Sequence, residues 1–230
     1  MKQNFTPPAE GLVLEIGSGD NPHPRSDVLV DRFIGDNTER GGNLVIDRPL
    51  VVADAHRLPF RNGAFAYIIC SHILEHMDDP PQFVGELQRI GKAGYIGSPS
   101  EIAERMFHWS FHRWYVNLID GTLVLHPKEP AEPFGELFDY LYEYNPAYYF
   151  FQRSMPDLFW VEHEWHGRID LEMAEHSPLA LQDEAHLRAM VQPRFGVLQQ
   201  VLLFAAAQVS RLLRWNTRTM LRRLSRQNYI

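Results

Sequence analysis

Short apolar runs separated by turn residues organise the first hundred positions. Leu12, Val13, Leu14 and Ile16 form one run, Val28–Val30 a second, Leu50–Ala53 a third and Phe65–Cys70 a fourth. Runs this short and this uniformly apolar predict parallel strands buried on both faces. Between residues 81 and 90 the period changes: Phe83, Val84, Leu87 and Ile90 fall on one face of a helix that Gly91 ends. Residues 92–96 then begin a fifth strand that closes at Pro99. Further on, Tyr115–Leu118 and Thr122–Leu125 flank Asp120-Gly121, the signature of a β-hairpin turn. The segment FGELFDYLYEYNPAYYFFQ predicts a helix followed by an aromatic-rich stretch, and LFWVEHEW a late strand of the main sheet.

Chemistry concentrates where the strands end. Gly17 and Gly19 follow the first strand, permitting a sharp turn and close approach of a ligand to main-chain N–H groups. Asp31 closes the second strand, where a carboxylate can accept hydrogen bonds from ribose hydroxyls. A dinucleotide fingerprint is excluded, because Pro22 holds the third glycine position and Asp31 follows Gly17 by fourteen positions rather than about twenty. Taken alone, Gly-x-Gly fits an ordinary strand-to-loop turn equally well.

Four segments in order carry more weight than one. Glu15-x-Gly17-x-Gly19, the third-strand acid Asp54 with Ala55 and the tail Leu58-Pro59-Phe60, the fourth strand, and Leu74-Glu75-His76 followed by Asp79-Pro80 resemble the motifs of class I S-adenosylmethionine-dependent methyltransferases. The resemblance is to the type 11 group, which includes the quinone-biosynthesis methyltransferases. Arg89 and Gly94 match the segment around that family's fifth strand, so the likeness covers about residues 10–100. It implies a Rossmann-like α/β fold, a mostly parallel seven-stranded sheet flanked by helices, with S-adenosyl-L-methionine as cofactor. It further implies that Glu15, Gly17, Ser18 and Gly19 hold the amino-acid end of the cofactor and Asp31 its ribose. Asp54 and Ala55 would flank adenine, and Ser71 and His72 would close the methionine side. Two departures stand out. Pro22 and Pro24 forbid the helix that usually follows the glycine loop, removing a group that helps hold the cofactor carboxylate. Ala66 also replaces an acid common at the start of the fourth strand.

A methyl acceptor that is a hydroxyl benefits from a general base. His72 and His76, just past the fourth strand, are the candidate catalytic residues, with His112 a weaker one; the alternative is that the L-E-H triplet caps the next helix and that HWSFHRW is an aromatic packing cluster. His72-Ile73-Leu74-Glu75-His76 also spells the inverted zinc-protease string, but that motif needs a helix and here it follows a strand. His163 and His166 lie on opposite faces of an alternating strand, so no metal site is expected there or elsewhere.

Composition sets the remaining bounds. The 230 residues, 45% hydrophobic, suffice for one substantial core and a small appendage. A single cysteine, Cys70, excludes an intramolecular disulfide framework. The first eleven residues carry no apolar signal core, so a cleavable leader is not expected and the reading is cytoplasmic. The sequence divides into a methyltransferase domain over 1–190, with a cofactor half at 10–100 and an acceptor or lid half at 101–190, and a basic amphipathic helical extension over 191–230. Residues 196–230 hold six arginines and no acid, leaving 16 basic and 29 acidic residues, a net of −13, over residues 1–195. The extension would dock on the acidic body or form a homodimer contact, both preferred slightly over lying peripherally on the inner face of a membrane. Acidic residues around 129–143 and the lack of a basic stripe in the core argue against nucleic acid. The acceptor is read as a small molecule, a sugar or a lipid-linked species; a non-catalytic interaction module with the same fold is the alternative.

Overall fold

The computed structural model describes residues 5–191, apart from 39, 41, 131–133, 135–136 and 180–182, together with 196, 198, 201–202, 204–205 and 209. Five strands form the heart of the first of two compact units, which comprises Met1–Ser100, Ser110–Glu129 and Val161–Pro178. They are β1 (Val13–Ile16), β2 (Val28–Asp31), β3 (Leu50–Val52), β4 (Tyr67–Ser71) and β5 (Ala93–Pro99). Hydrogen bonding runs in the order β3-β2-β1-β4-β5, parallel throughout, with β8 (Trp160–His166) beyond β5. The central strands are apolar on both faces because both are covered, and every residue of β1 is buried. Burial also pushes the Cys70 thiol upward, which leaves it an inert core group.

Helix α1 (Pro80–Ile90) covers the sheet with the four residues its period singles out: Phe83, Val84, Leu87 and Ile90 are all buried. Asp79 caps it by accepting from Gln82 N–H at 2.9 Å, and the two prolines occupy the first turn, where no N–H is needed. It stops at Gly91, where a Cβ would lie 2.5 Å from Ile68 Cδ1.

The hairpin forms where the Asp-Gly pair predicts it. β6 (Trp114–Ile119) and β7 (Thr122–Pro127) are antiparallel, and Asp120 and Gly121 take the left-handed φ values of 48° and 84° that their turn requires. The expected count of seven strands in one sheet is corrected to six. The hairpin takes its third partner from β9 (Leu171–Met173), parallel to β7, and makes a separate three-stranded sheet. Val116, Leu123 and Leu125 of the hairpin nonetheless share one core cluster with Leu14, Ile68 and Leu87.

The second unit comprises Glu101–Trp109, Pro130–Trp160 and Leu179–Ile230. It holds α2 (Glu101–Phe107), α3 (Leu137–Tyr144), α4 (Pro146–Ser154), α5 (Pro156–Phe159) and α6 (Glu184–Met190). The aromatic-rich stretch expected after one helix is itself a second helix: Asn145 accepts from Tyr148 N–H at 3.2 Å and Pro146 sits in the first turn, so Asn-Pro ends one helix and starts another. Phe107 packs against Trp109, Phe138 and Tyr142 with ring centroids 4.7–6.5 Å apart. Most of the basic extension, including all seven of its arginines, lies outside the described residues. Among the described residues no helix is long and apolar enough to cross a membrane.

Candidate functional site

Parallel strands place all their carboxyl ends on one edge of the sheet, and the register brings the predicted residues there together. Ile16 pairs with Val30 and Cys70, Asp31 with Val52, and Ser71 with Gly97. The glycine loop after β1, Asp31, the Asp54 turn and the Ser71-His72 step therefore share the edge where open α/β sheets bind ligands.

The glycine loop is held from both sides. Gly17 has φ 66° and donates its N–H to Val30 O at 2.8 Å, and a Cβ there would stand 2.1 Å from Ile73 Cδ1 in the turn after β4. Gly19, at φ 58°, faces open space, with no atom within 4 Å of where its Cβ would be. Between them Ser18 is only 9% exposed, and its hydroxyl has no hydrogen-bond partner among the described residues. A buried hydroxyl without a partner is costly unless something binds there.

No helix follows this loop, as the prolines dictate, and Glu15 supplies the order instead. Its Oε2 accepts from His23 N–H at 2.8 Å and from Ser26 Oγ at 2.5 Å, tying the proline-containing turn back onto β1. Burial raises the Glu15 carboxyl above its ordinary range, although the Ser26 and His23 donors oppose the rise. Arg48 completes the brace by donating to the carbonyls of His23 and Ser26 at 2.8 and 2.6 Å.

Asp31 is 7% exposed and accepts from Phe33 N–H at 2.9 Å; Arg40 pairs with the same oxygen at 2.9 Å and also reaches the Phe33 carbonyl. Asp54 is nearer to solvent. It accepts from His56 N–H at 2.9 Å, lies 2.8 Å from His56 Nδ1 and meets Arg32 at 3.2 Å. The His56 backbone donor heads the set that holds its carboxyl below the ordinary range, against desolvation. Ala55 beside it is buried.

Beyond β4 the chain is strained. His72 has φ 58°, unusual for a residue with a Cβ, and is fixed by its N–H to Gly97 O at 2.8 Å. Leu74–His76 then form one 3₁₀ turn. Glu75 is 1% exposed, with His72 Nδ1 at 3.3 Å from Oε1. Desolvation alone would raise its carboxyl, but the imidazoles of His72, His112 and His76, when protonated, outweigh that and hold it at about 2. A folded-state value below the ordinary 4.5 contributes stability above pH 4.5 that is lost as pH falls toward 2. Urea melts of the wild type and Glu75→Gln should therefore differ at pH 6 and converge as pH drops through this window; curves that stay parallel would contradict the assignment.

His112 reaches the same place through the backbone. Arg113 N–H donates to Glu75 O at 2.8 Å and the Trp114 indole to Met77 O at 2.7 Å, drawing the start of β6 over the 3₁₀ turn. His112 meets His76 edge to face at 4.6 Å, and Phe111 stacks on His76 at 5.6 Å. The two residues sequence reasoning missed are Arg40, the partner of Asp31, and Glu75, which was seen only as part of a motif. A charged residue inside Leu74-Glu75-His76, among apolar neighbours, was the available signal for Glu75; Arg40 offered none.

Residues 33–96 match the family model for a methyltransferase domain. The match begins just past Asp31, so the glycine loop stands on its own geometry. Among curated proteins no sequence matches significantly. Among solved structures, the YcgJ protein of Bacillus subtilis is similar at 23% identity over 40% of this chain and 45% of its own, with a TM-score of 0.33. An S-adenosylmethionine-dependent methyltransferase of Thermotoga maritima, a possible histamine N-methyltransferase by its description, shows 21% identity over 43% of this chain and 48% of its own, TM-score 0.32. The PH0226 protein of Pyrococcus horikoshii shows 19% identity over 50% and 65%, TM-score 0.33. The chain thus spans less than half the length of the first two.

Proposed function

We propose that this chain, which carries a methyltransferase domain of the type 11 family on a Rossmann-like parallel sheet, transfers the methyl group of S-adenosylmethionine to a small-molecule, sugar or lipid-linked acceptor. The observation that supports this best is the buried, unpartnered Ser18 hydroxyl beside the open space at Gly19, at the sheet edge that also carries Asp31 and Asp54. On this reading each part of the cofactor has residues that would hold it. Ser18 and the loop amides suit the methionine carboxylate, Asp31 the ribose hydroxyls, Asp54 and Ala55 the adenine, and Ser71 with His72 the methionine side.

The bound cofactor supplies an already activated sulfonium methyl. What remains for the protein is to hold an acceptor in line, and positioning of this kind supplies roughly 7–11 kcal/mol. His72 or His76 would take the acceptor's proton, an effect of about 10²–10⁴ in rate. The half-exposed His72 side chain, 46% accessible, suits that exchange.

The non-catalytic reading draws on two features. Arg40 already pairs with Asp31, and the helix that usually supports the glycine loop is absent. Calorimetric titration of the full chain with S-adenosylmethionine and with S-adenosylhomocysteine separates the two readings. Micromolar binding of either is expected; a folded protein that binds neither leaves the interaction module.

A further inference from the structure

We propose that Glu75, His76 and His112 form a binding site for one divalent transition-metal ion, zinc by the character of its donors. One ligand atom from each lies within 4.8 Å of those of the other two, and Glu75 and His112 are buried. Around a tetrahedral zinc ion such atoms stand about 3.3 Å apart, given Zn–N and Zn–O distances near 2.0–2.2 Å. The proposed site requires side-chain rotation to close that difference.

Glu75 gives the independent reason to place a cation here. Its side chain is 1% exposed, and neither carboxylate oxygen receives a hydrogen bond of good geometry from any described residue. When the imidazoles around it are neutral, a buried carboxylate in that state calls for a positive charge. Two imidazoles and one carboxylate are also the donors of open, three-ligand zinc sites, in which a fourth position takes water or another oxygen. The frame is set before metal arrives, since Arg113 N–H to Glu75 O fixes the spacing of the two segments. His72, 3.3 Å from Glu75 Oε1, then acts as an outer partner that orients the carboxylate.

This set is not the inverted zinc-protease pattern. There the two histidines of one helix bind the metal; here Glu75 is a ligand, His72 is not, and the second imidazole comes from 36 positions downstream. The assignment gives His76 to the metal and leaves His72 as the base. On the methyltransferase reading, the open position would bind and orient an acceptor oxygen; this consequence rests on that reading, whereas the site itself does not.

The test is a Co²⁺ titration of the full chain after chelator treatment, followed by Zn²⁺ competition and elemental analysis. Visible d–d bands saturating near one equivalent, bleached by Zn²⁺, are expected. Glu75→Gln and His112→Gln should weaken binding at least a hundredfold, while His166→Gln/His176→Gln, which alters two exposed imidazoles, should leave it unchanged. Absence of a saturable band in the wild type overturns the site, as does binding lost in the His166/His176 variant but kept in the other two. Should the buried variants fail to fold, X-ray absorption of the zinc-loaded wild type decides: two imidazoles with oxygen donors support the site, and any other shell refutes it. None of these readings involves S-adenosylmethionine, so failure here is distinct from failure to bind cofactor.

Discussion

Asp31→Asn should weaken S-adenosylmethionine binding by about 30- to 100-fold in a protein that still folds. Asparagine keeps an oxygen for Phe33 N–H, which Asp31 accepts at 2.9 Å, but loses the charge that strengthens hydrogen bonds from ribose hydroxyls. A hydrogen bond to a charged group contributes about 1.5–3 kcal/mol, and about 2–2.7 kcal/mol corresponds to that loss of affinity. Stability falls as well, because the Arg40 guanidinium, 13% exposed, is left without its carboxylate. Breaking a fully buried pair costs about 3–5 kcal/mol, and this pair at the sheet edge should cost about 2. The two effects come apart in Asp31→Asn/Arg40→Met, which should regain most of the melting temperature and none of the affinity. Calorimetry and thermal melts on the three proteins check this; unchanged affinity in folded Asp31→Asn would remove Asp31 from the cofactor site.

Much of this was legible in the chain because it depends on local patterns. β1, β2 and β4 are short runs of apolar residues, and nothing but a doubly covered strand explains Tyr67–Cys70, buried without interruption. Asp120-Gly121 dictated a turn by its own conformational freedom, and Pro22 and Pro24 excluded a helix by lacking N–H groups. What the sequence hid depends on contacts between distant segments. The pairing of β9 with β7, which turned one sheet into two, joins residues 171–173 to 123–125. His112 meets Glu75 only because the Arg113 amide bonds across to the 3₁₀ turn. Glu15 was expected at the amino-acid end of a cofactor, whereas the structure shows its carboxylate bonded to His23 and Ser26, bracing the proline-containing turn.

Gly94 was visible as a motif match, and the structure supplies its physical reason. Gly94→Ala should destabilise the protein by about 3 kcal/mol or more, a fall of roughly 6–12 °C in melting temperature. The new Cβ would lie 2.4 Å from the Ile68 carbonyl oxygen and 2.8–2.9 Å from the Trp165 indole. Neither can yield: Ile68 is paired with Gly94 in the β4–β5 ladder, and Trp165 is 2% exposed in the core. Gly85→Ala is the control, since that glycine is exposed on α1 with no atom within 4 Å, and alanine there should stabilise by about 0.5–1 kcal/mol. The strain at Gly94 falls between β4, β5 and β8, whereas β1, β2 and β3 continue the sheet in the other direction. At a temperature where Gly94→Ala remains folded, its affinity for S-adenosylmethionine should therefore stay within about twofold of wild type, as for sites that do not share partners. A large loss of affinity in the folded variant would mean that β5 carries part of the cofactor site, and that the sheet edge from the glycine loop to His72 is an incomplete account of it.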